Sequence, residues 1–269
     1  MKPLEIKDVQ ALLLELMKDV HSFLEKNQLK YYLLGGSALG AIRHNGFIPW
    51  DDDIDIGMCR DDYERFLELS HEFNNKYEVV NFQRANNCDF ALTRIYIPDT
   101  YIDNPSISKT KLDKRLYFDI FPLDNVPSDK TELSKYEKQI VKFKKRIQRI
   151  DVRYNDDSAL KLLIKKNISL LLCPLRNRIL SSFDTLLKKY RNCETVHICS
   201  LCSQYSFERQ VMPKPVYGNP ILHKFEDAEF YIPEKPEEYL TTLFGEDYMQ
   251  VPPLEKRRSG YKIYLTNEE

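Results

Sequence analysis

Residues 33–57 read LLGGSALGAIRHNGFIPWDDDIDIG, a stretch in which glycines and carboxylates occur close together. Of the 8 glycines in the chain, five fall between positions 35 and 57. Four aspartates stand between positions 51 and 55. Glycine allows a backbone to approach a ligand closely, and carboxylate oxygens are preferred ligands of hard divalent cations. The stretch therefore indicates a site that binds both phosphate and metal.

The alternation of Asp and Ile predicts a half-buried strand over residues 53–58. Side chains two residues apart on a strand point the same way and lie about 6.5–7 Å apart along it. Asp53 and Asp55 can therefore ligate one cation together or bracket a pair of cations roughly 4 Å apart. Their hard oxygen atoms favour Mg²⁺ or Mn²⁺.

Two other structures would also place carboxylates here. A solvated acidic turn accounts for Asp51 and Asp52 but not for the apolar alternation that follows. A calcium-binding loop would use Asp51, Asp53 and Asp55 at its first, third and fifth positions, but it needs glycine at the sixth. Ile56 stands at that position, so the calcium loop is disfavoured.

A tight turn at Gly35 and Gly36 is predicted between a strand and a helix. The apolar strand covers residues 31–34, and Ser37 is predicted to cap a short helix over residues 38–44. Free backbone N–H groups and a hydroxyl at a helix N-terminus can bind phosphate oxygens. Neither a Walker loop nor a dinucleotide-binding fingerprint is present. Gly35, Gly36 and Ser37 are therefore predicted to bind phosphate by a different arrangement.

A further carboxylate, Asp119, stands in the middle of an aromatic strand predicted over residues 115–122. Burial of a charge without a partner is costly. If Asp119 reaches the same face as Asp53 and Asp55, the three carboxylates form one metal site. Phosphoryl transfer needs such a site, because divalent cations neutralise charge on the phosphate and on its leaving group. We therefore predict that Asp53, Asp55 and Asp119 are the catalytic metal ligands.

The pattern of the whole chain predicts an α+β fold with a mixed β-sheet core, flanking helices and a helical middle region. Residues 1–127 are expected to form the catalytic core, and residues 128–192 a basic helical region. Residues 193–269 are expected to complete the core with sheet and helix. The predicted elements include helices over 6–30, 60–74 and 236–244, strands over 77–82, 91–97 and 196–203, and a hairpin over 222–232.

The composition is that of a water-soluble globular protein, with 42% apolar and 30% charged residues among 269. The net charge of -1 provides no overall field that would attract nucleic acid, so no nucleic-acid partner is expected. The N-terminus lacks the apolar core of a secretory signal. The longest apolar stretch, 168–175, is far shorter than the roughly 20 residues that span a bilayer. These features predict a cytoplasmic protein.

Six cysteines are scattered along the chain, which in a cytosolic protein indicates reduced thiols. One group, Cys193, His197, Cys199 and Cys202, contains a Cys-x-x-Cys pair that could hold zinc. The same residues also fit a strand, and thiols buried in the core are the favoured interpretation.

The stretch 33–57 resembles the signature of the LicD family, relatives of fukutin within the nucleotidyltransferase-fold superfamily. Residues 118–124, FDIFPLD, resemble a later motif of this family, and residues 239–253 resemble its C-terminal motif. The resemblance covers nearly the whole chain and is weakest at about 130–190. It implies a nucleotidyltransferase-like fold in which Gly36 and Ser37 form the turn, Asp53 and Asp55 the acid pair, and Asp119 the third acid.

The resemblance also implies an activity, namely transfer of phosphocholine or a similar substituted phosphate. The implied donor is CDP-choline or another CDP-linked compound, and CMP is released. The implied acceptor is a sugar hydroxyl of a cell-surface glycan precursor such as teichoic acid or lipopolysaccharide. Within the same fold, a nucleotidyltransferase that transfers NMP to a small molecule is the alternative.

A scaffold that binds membrane surfaces is an alternative of another class. It is suggested by the basic residues Lys142, Lys144, Lys145, Arg146 and Arg149, which precede an apolar helical pattern over 162–172. An interfacial amphipathic helix combines these two features. Within the enzyme interpretation, the same region would dock peripherally at the inner face of the plasma membrane, next to a lipid-linked acceptor.

Three further residues and one basic run are candidate ligand contacts. Arg43 and Arg94 are predicted to bind phosphate, with surface or ion-paired arginines as the alternative. Trp50 could hold the quaternary ammonium of choline by cation–π attraction, although a structural role fits a Trp beside Pro equally well. The basic run at 256–258 could close over the nucleotide or could simply be solvated.

Overall fold

A mixed sheet of seven strands forms the centre of the structure, a computed structural model that describes residues 2–84, 88, 90–103, 114–150, 167–168, 173–257 and 261–266. The strands of the described chain are β1 (Tyr32–Leu33), β2 (Asp55–Cys59), β3 (Glu78–Asn81), β4 (Thr93–Tyr96), β5 (Thr100–Asp103), β6 (Tyr117–Val126), β7 (His197–Cys199), β8 (Val211–Pro213), β9 (Ile221–Phe225), β10 (Ala228–Ile232) and β11 (Lys262–Leu265). The helices are α1 (Ile6–Lys26), α2 (Gly35–His44), α3 (Arg60–Leu69), α4 (Lys130–Ile150), α5 (Arg176–Leu187), α6 (Phe207–Gln210), α7 (Lys214–Tyr217) and α8 (Pro236–Phe244).

The central sheet has the strand order β1-β2-β6-β4-β3, and β7 pairs with both β6 and β8. Strands β2 and β6 run parallel, whereas the other pairs are antiparallel. The long strand β6 pairs with β4 over residues 117–120, with β2 over residues 119–123 and with β7 in its last three residues. Two small sheets, β9 with β10 and β5 with β11, complete the strand pairing. The α+β fold class predicted from the sequence is confirmed.

Helix α1 forms where the apolar spacing predicts it. Its buried residues recur at helical spacing and face the main apolar core, namely Val9, Leu13, Leu16, Met17, Val20 and Leu24. The helix ends at Lys26, before the predicted position 30, because Gln28 takes a left-handed conformation with φ 58°. Helix α8 and the β9–β10 hairpin lie where the pattern placed them.

Two boundaries near the glycine turn differ from the prediction. Helix α2 begins at Gly35 after the N-cap residue Leu34, so Ser37 lies inside the first turn and is not the cap. Strand β2 begins at Asp55, so Asp53 lies in the extended segment before the strand. The reason is pairing: the ladder to β6 starts at Asp55, although the Asp119 amide also donates to the Ile54 carbonyl at 3.4 Å.

A second, smaller apolar core lies beneath α4 and α5. It is built from Tyr136 and Ile140 of α4 and from Leu180, Phe183 and Leu187 of α5. The predicted apolar helix over 162–172 falls mostly outside the described residues. Among the helices that the structure does describe, none combines the length and apolar character needed to cross a bilayer.

Replacement of Gly40 by Ala is expected to destabilise the protein by about 1–3 kcal/mol, because it overpacks a backbone contact. A Cβ atom at Gly40 would lie 2.5 Å from the Gly46 carbonyl oxygen, which cannot move without moving the loop. Gly46→Ala is the comparison variant, since the three atoms nearest its Cβ all belong to the Glu226 side chain, which can shift at the cost of its hydrogen bond from the Phe47 amide. Urea denaturation of both variants tests this, and an equal or smaller loss for Gly40→Ala would contradict it.

Candidate active site

Three charged side chains stand in one row across the sheet. The parallel pairing of β2 with β6 sets Asp55 opposite Asp119, and the antiparallel pairing of β6 with β4 sets Asp119 opposite Arg94. Paired residues on neighbouring strands point to the same face, with Cβ atoms about 4.5–5.5 Å apart. The fold therefore brings together two of the predicted carboxylates and one of the predicted arginines.

The third predicted carboxylate, Asp53, joins this row from the segment before β2. Neighbouring protein atoms reduce the hydration of the Asp53 carboxylate and raise its pKa to about 8, although the residue as a whole is exposed. Repulsion from Asp51, Asp52 and Asp119 contributes further. The pKa of Asp55 is raised well above its ordinary value by burial and then by Asp53 and Asp119. These carboxylates thus lie close enough to destabilise one another's charge, as an anionic pocket for a cation requires.

Arg94 holds the Asp119 side chain in place. Its Nε donates a hydrogen bond to Asp119 Oδ1 at 2.9 Å. The guanidinium lies between two rings, 4.2 Å from the centroid of Phe90 and 4.1 Å from that of Tyr117. Burial raises the pKa of Asp119, and Arg94 opposes this increase. The structure thus shows the ion-paired arrangement for Arg94, and phosphate binding by this residue stays a prediction.

The glycine turn is fastened to the start of β2. The Asp55 amide donates to Ser37 Oγ at 2.9 Å, so the serine links the turn to an acid-bearing strand. Gly35 has φ +50°, a left-handed conformation that favours glycine. Its amide donates to the Tyr239 hydroxyl at 2.9 Å and therefore already has a partner. A Cβ at Gly36 would lie 2.8 Å from Asp51 Oδ2, so a side chain there would require that carboxylate to shift.

The two earlier aspartates are involved in the shape of the loop. Gln10 of α1 donates to the Asp51 carbonyl at 2.9 Å, and Asp52 Oδ2 accepts from the Tyr261 amide at 3.0 Å. Burial raises the pKa of Asp51 to about 6, repulsion from Asp52 adds to this, and Arg43 opposes it. Helix α1 and the C-terminal segment thus both contact the acid loop, residues 51–54.

The predicted ligand contacts Arg43 and Trp50 meet the C-terminal segment. Arg43 Nη1 donates to the carbonyl oxygens of Tyr248 at 2.9 Å and Gln250 at 3.2 Å. The Arg257 guanidinium lies 4.5 Å from the Trp50 ring centroid. One member of the basic run is thus placed beside the acid loop, while position 258 lies outside the described residues. The ligand-binding roles of Arg43 and Trp50 stay predictions.

Tyr205 is a site residue that sequence reasoning missed. Its ring lies 3.8 Å from the position that a Gly35 Cβ would take. Burial raises the pKa of its hydroxyl to about 12, and the charges of Asp55, Asp53 and Asp51 contribute. The phenol therefore stays protonated near neutral pH and can donate a hydrogen bond. No local pattern singles out this residue, because α6 and β7 place it from a distant part of the chain.

The donor set of the site suits a divalent cation. Asp55 and Asp119 are half-buried, Asp53 stands exposed beside them, and Arg94 opposes the charge of Asp55 and Asp119. Oxygen donors of this kind favour Mg²⁺ or Mn²⁺. Within the described part of the chain, no three His, Cys, Asp or Glu side chains already form a metal-ligating group. Ligation by all three aspartates would therefore require their side chains to turn toward one point.

The candidate zinc group consists of residues in different environments. Cys199 is buried in the second core, and Cys202 Sγ donates to the Ala91 carbonyl at 3.5 Å, whereas Cys193 is exposed. Burial raises the pKa of Cys202 to about 12, which disfavours the thiolate that metals bind. Cys199 and Cys202 thus are core thiols, as favoured from the sequence.

Comparisons with known proteins find relatives of this chain. The family model described as LicD/FKTN/FKRP, nucleotidyltransferase domain, matches residues 28–149, a range that contains all three carboxylates. The lipopolysaccharide cholinephosphotransferase LicD of Haemophilus influenzae is 30% identical over an alignment 269 residues long that covers 96% of each chain. An uncharacterised protein of Rickettsia prowazekii is 34% identical over 41% of this chain and 44% of its own length. The human ribitol 5-phosphate transferase FKRP is 46% identical over 48 residues, 18% of this chain and 10% of its own length.

Proposed function

The chain belongs to the LicD/FKTN/FKRP family of transferases, and on this premise we propose that it transfers phosphocholine from CDP-choline. A similar substituted phosphate on a CDP-linked donor is the nearest variant of this proposal. The acceptor is a sugar hydroxyl of a cell-surface glycan precursor such as lipopolysaccharide or teichoic acid, and it is lipid-linked. The observation that carries the proposal is the row Asp55, Asp119 and Arg94, together with Asp53 at its edge.

The carboxylates of Asp53, Asp55 and Asp119 would hold Mg²⁺ or Mn²⁺, which when bound neutralises charge on the donor diphosphate. One carboxylate of the site accepts the proton of the acceptor hydroxyl. The acceptor oxygen then forms a bond to the phosphorus of phosphocholine, and the bond from this phosphorus to the bridging oxygen breaks. The electron pair of that bond stays on the oxygen of the departing CMP.

Neighbouring side chains support this chemistry. Arg94 orients Asp119 through its 2.9 Å hydrogen bond. Tyr205 offers a protonated hydroxyl beside the glycine turn, where the donor phosphates are proposed to lie. The Arg257 guanidinium occupies a position over the Trp50 ring that a choline ammonium could also take. Bound choline would therefore displace Arg257 from that ring.

The direct test is incubation of the purified full-length protein with CDP-choline, Mn²⁺ and a glycan precursor. We expect CMP release and a mass gain of one phosphocholine on the acceptor. A chelator should lower the rate at least about 100-fold, since the metal supplies several kcal/mol of charge stabilisation, and added Mn²⁺ should restore it. CDP-ethanolamine, CDP-ribitol and CDP-glycerol identify the head group. Pyrophosphate release from a nucleoside triphosphate would instead support the NMP-transfer alternative.

We also propose that the enzyme is cytoplasmic and docks on the inner face of the plasma membrane through α4. Lys142, Lys145, Arg146 and Arg149 are exposed on this helix. Lys144 is not part of this surface, because its Nζ donates to the Ser203 carbonyl at 2.7 Å.

Replacement of Lys142, Lys145 and Arg149 by Gln should remove most binding to vesicles that contain anionic lipid, at about 1 kcal/mol for each basic residue lost. Co-sedimentation measures this binding, and the triple variant should keep its CMP release from CDP-choline with a soluble acceptor. Exposed Lys224 on β9 provides the control position. Unchanged vesicle binding by the triple variant would contradict the docking proposal.

A further inference from the structure

A second cleft opens at the end of the sheet opposite the carboxylate row. It has a volume of about 480 Å³ and lies between the ends of β2 and β6 and helix α7. Cys59, at the end of β2, lines this cleft, whereas Asp55 begins the same strand. Four residues of a strand span about 13 Å. The cleft is therefore separate from the proposed active site.

The walls of the cleft are largely apolar and aromatic. Tyr32 and Tyr217 line it with ring centroids 5.2 Å apart, and Leu123, Ile198 and Pro215 complete the apolar surface. Tyr32 is fixed in place, because its hydroxyl donates to the Gly218 carbonyl at 2.7 Å. Pockets of about 300–1,000 Å³ with such walls hold small molecules and orient them with a few polar groups. The shape and lining favour a ligand that contains a planar ring.

One polar group of the cleft lacks a partner. The Tyr217 side chain is 2% exposed, and its hydroxyl has no hydrogen-bond partner among the residues that the structure describes. A buried donor without an acceptor is unfavourable, and most such groups in proteins are satisfied. The hydroxyl oxygen is fully enclosed, so a ligand atom that accepts this hydrogen bond would remove the penalty after a small shift of the Tyr217 side chain toward the cleft.

Among the described residues that line the cleft, ion pairing leaves one cation available. The Arg60 guanidinium is paired with Asp124 at 2.7 Å, and Arg191 is paired with Asp61 at 2.8 Å. Lys214 is half-buried in the cleft wall and has no ion pair within the described part of the chain. A half-buried ammonium without a counter-ion favours an anionic ligand group.

From these observations we propose that the cleft binds a small molecule with one planar ring and one anionic group. The ring packs against Tyr32 and Tyr217, the anion pairs with Lys214, and an acceptor atom takes the Tyr217 hydrogen bond. This site is independent of the carboxylate row, and its occupancy does not depend on the proposed transferase reaction.

Phenyl phosphate is the probe that combines both features, with phenol and inorganic phosphate as its separate halves. Calorimetric titration of the full-length protein should show phenyl phosphate binding at least about tenfold more tightly than either half. Lys214→Ala should weaken binding of phenyl phosphate about tenfold or more, as expected for a lost hydrogen bond to a charged group. Tyr217→Phe should weaken it without lowering the melting temperature, because the hydroxyl has no partner to lose.

Two control variants separate this cleft from other sites. Lys224→Ala removes an exposed lysine of β9, and Asp55→Asn alters the carboxylate row, and neither should change phenyl phosphate affinity. Loss of binding in Asp55→Asn with retention in Lys214→Ala would overturn the proposal, because the probe would then occupy the active site. Absence of phenyl phosphate binding to the unaltered protein, or equal affinity for inorganic phosphate, would overturn it as well.

Discussion

Replacement of Asp55 by Asn is expected to lower the rate of CMP release from CDP-choline at least about 100-fold, the effect typical of losing one electrostatic stabiliser in an active site. Asp55 lies between Asp53 in the chain and Asp119 across the ladder, so its carboxylate is central to the proposed metal pocket. Asn preserves the size of the side chain and the amide contact of residue 55 with Ser37, but it removes the charge. The loss should therefore appear in turnover and in the concentration of Mn²⁺ needed for half-maximal rate.

Two measurements distinguish this loss from misfolding. Burial and repulsion raise the pKa of Asp55 in the folded protein, so removal of its charge should leave thermal stability in the absence of metal unchanged or increased. Asp52→Asn is the matched control from the same acidic run, because Asp52 accepts the Tyr261 amide and a side-chain amide oxygen can do the same. We expect the turnover of Asp52→Asn to stay within about threefold of the unaltered protein. Undiminished turnover of Asp55→Asn, or an equal loss in both variants, would refute the assignment.

The carboxylates of the site could be predicted from the sequence because each has a local signal. Alternation with isoleucine marks Asp53 and Asp55, and a charge inside an aromatic strand marks Asp119. The pairing of Asp55 with Asp119 across neighbouring strands has no such signal, because it depends on β6 lying next to β2 rather than on either strand alone. Local patterns therefore predicted the members of the candidate site, while the strand order determines their register.

The environment of the predicted binding residues depends on contacts from distant segments. The Gly35 amide meets the Tyr239 hydroxyl, and Arg43 meets the carbonyl oxygens of Tyr248 and Gln250. Such partners are separated from the turn by about two hundred residues, so no spacing rule connects them. The start of β2 was predicted two residues early for a related reason. The alternation of acidic and apolar residues already begins at Asp53, whereas pairing with β6 begins only at Asp55.

Replacement of Arg60 by Met is expected to cost about 3–5 kcal/mol of folding free energy, the typical result of removing one partner of a buried ion pair. Arg60 and Asp124 are 5% and 1% exposed, and two hydrogen bonds of 2.7 and 2.8 Å join them. Without Arg60, the Asp124 carboxylate is left buried near that of Asp184, with Lys188 as a more distant cation that is itself paired with Asp184. Urea denaturation at neutral pH measures the loss, and Lys18→Met, which removes the exposed pair with Asp227, should show no measurable change.

The loss of folding free energy in Arg60→Met should also depend on pH, in a direction that follows from the linkage of folding to protonation. Burial already raises the pKa of Asp124 and Arg60 opposes the increase, so Arg60→Met should raise this pKa further above the value of about 3.9 in the unfolded chain. An acid whose pKa is raised on folding destabilises the folded state increasingly as the pH rises from its unfolded-state pKa to its folded-state pKa. The stability difference between Arg60→Met and the unaltered protein should therefore be larger at pH 8 than at pH 5. A constant difference would show that lost packing, and not an uncompensated carboxylate, causes the effect.

The partner substitution provides the closing test of this ion-pair network. Asp124→Asn leaves Arg60 with Glu64 at 3.1 Å and Asp184 at 3.4 Å, so the cation keeps two carboxylates nearby. We therefore expect Asp124→Asn to cost clearly less than Arg60→Met. The double variant Arg60→Met/Asp124→Leu should recover part of the loss, because replacement of both members of a buried pair by apolar residues is often close to neutral. If the double variant is less stable than Arg60→Met, the pair itself stabilises the junction of α3, β6 and α5 beyond the cost of burying its charges.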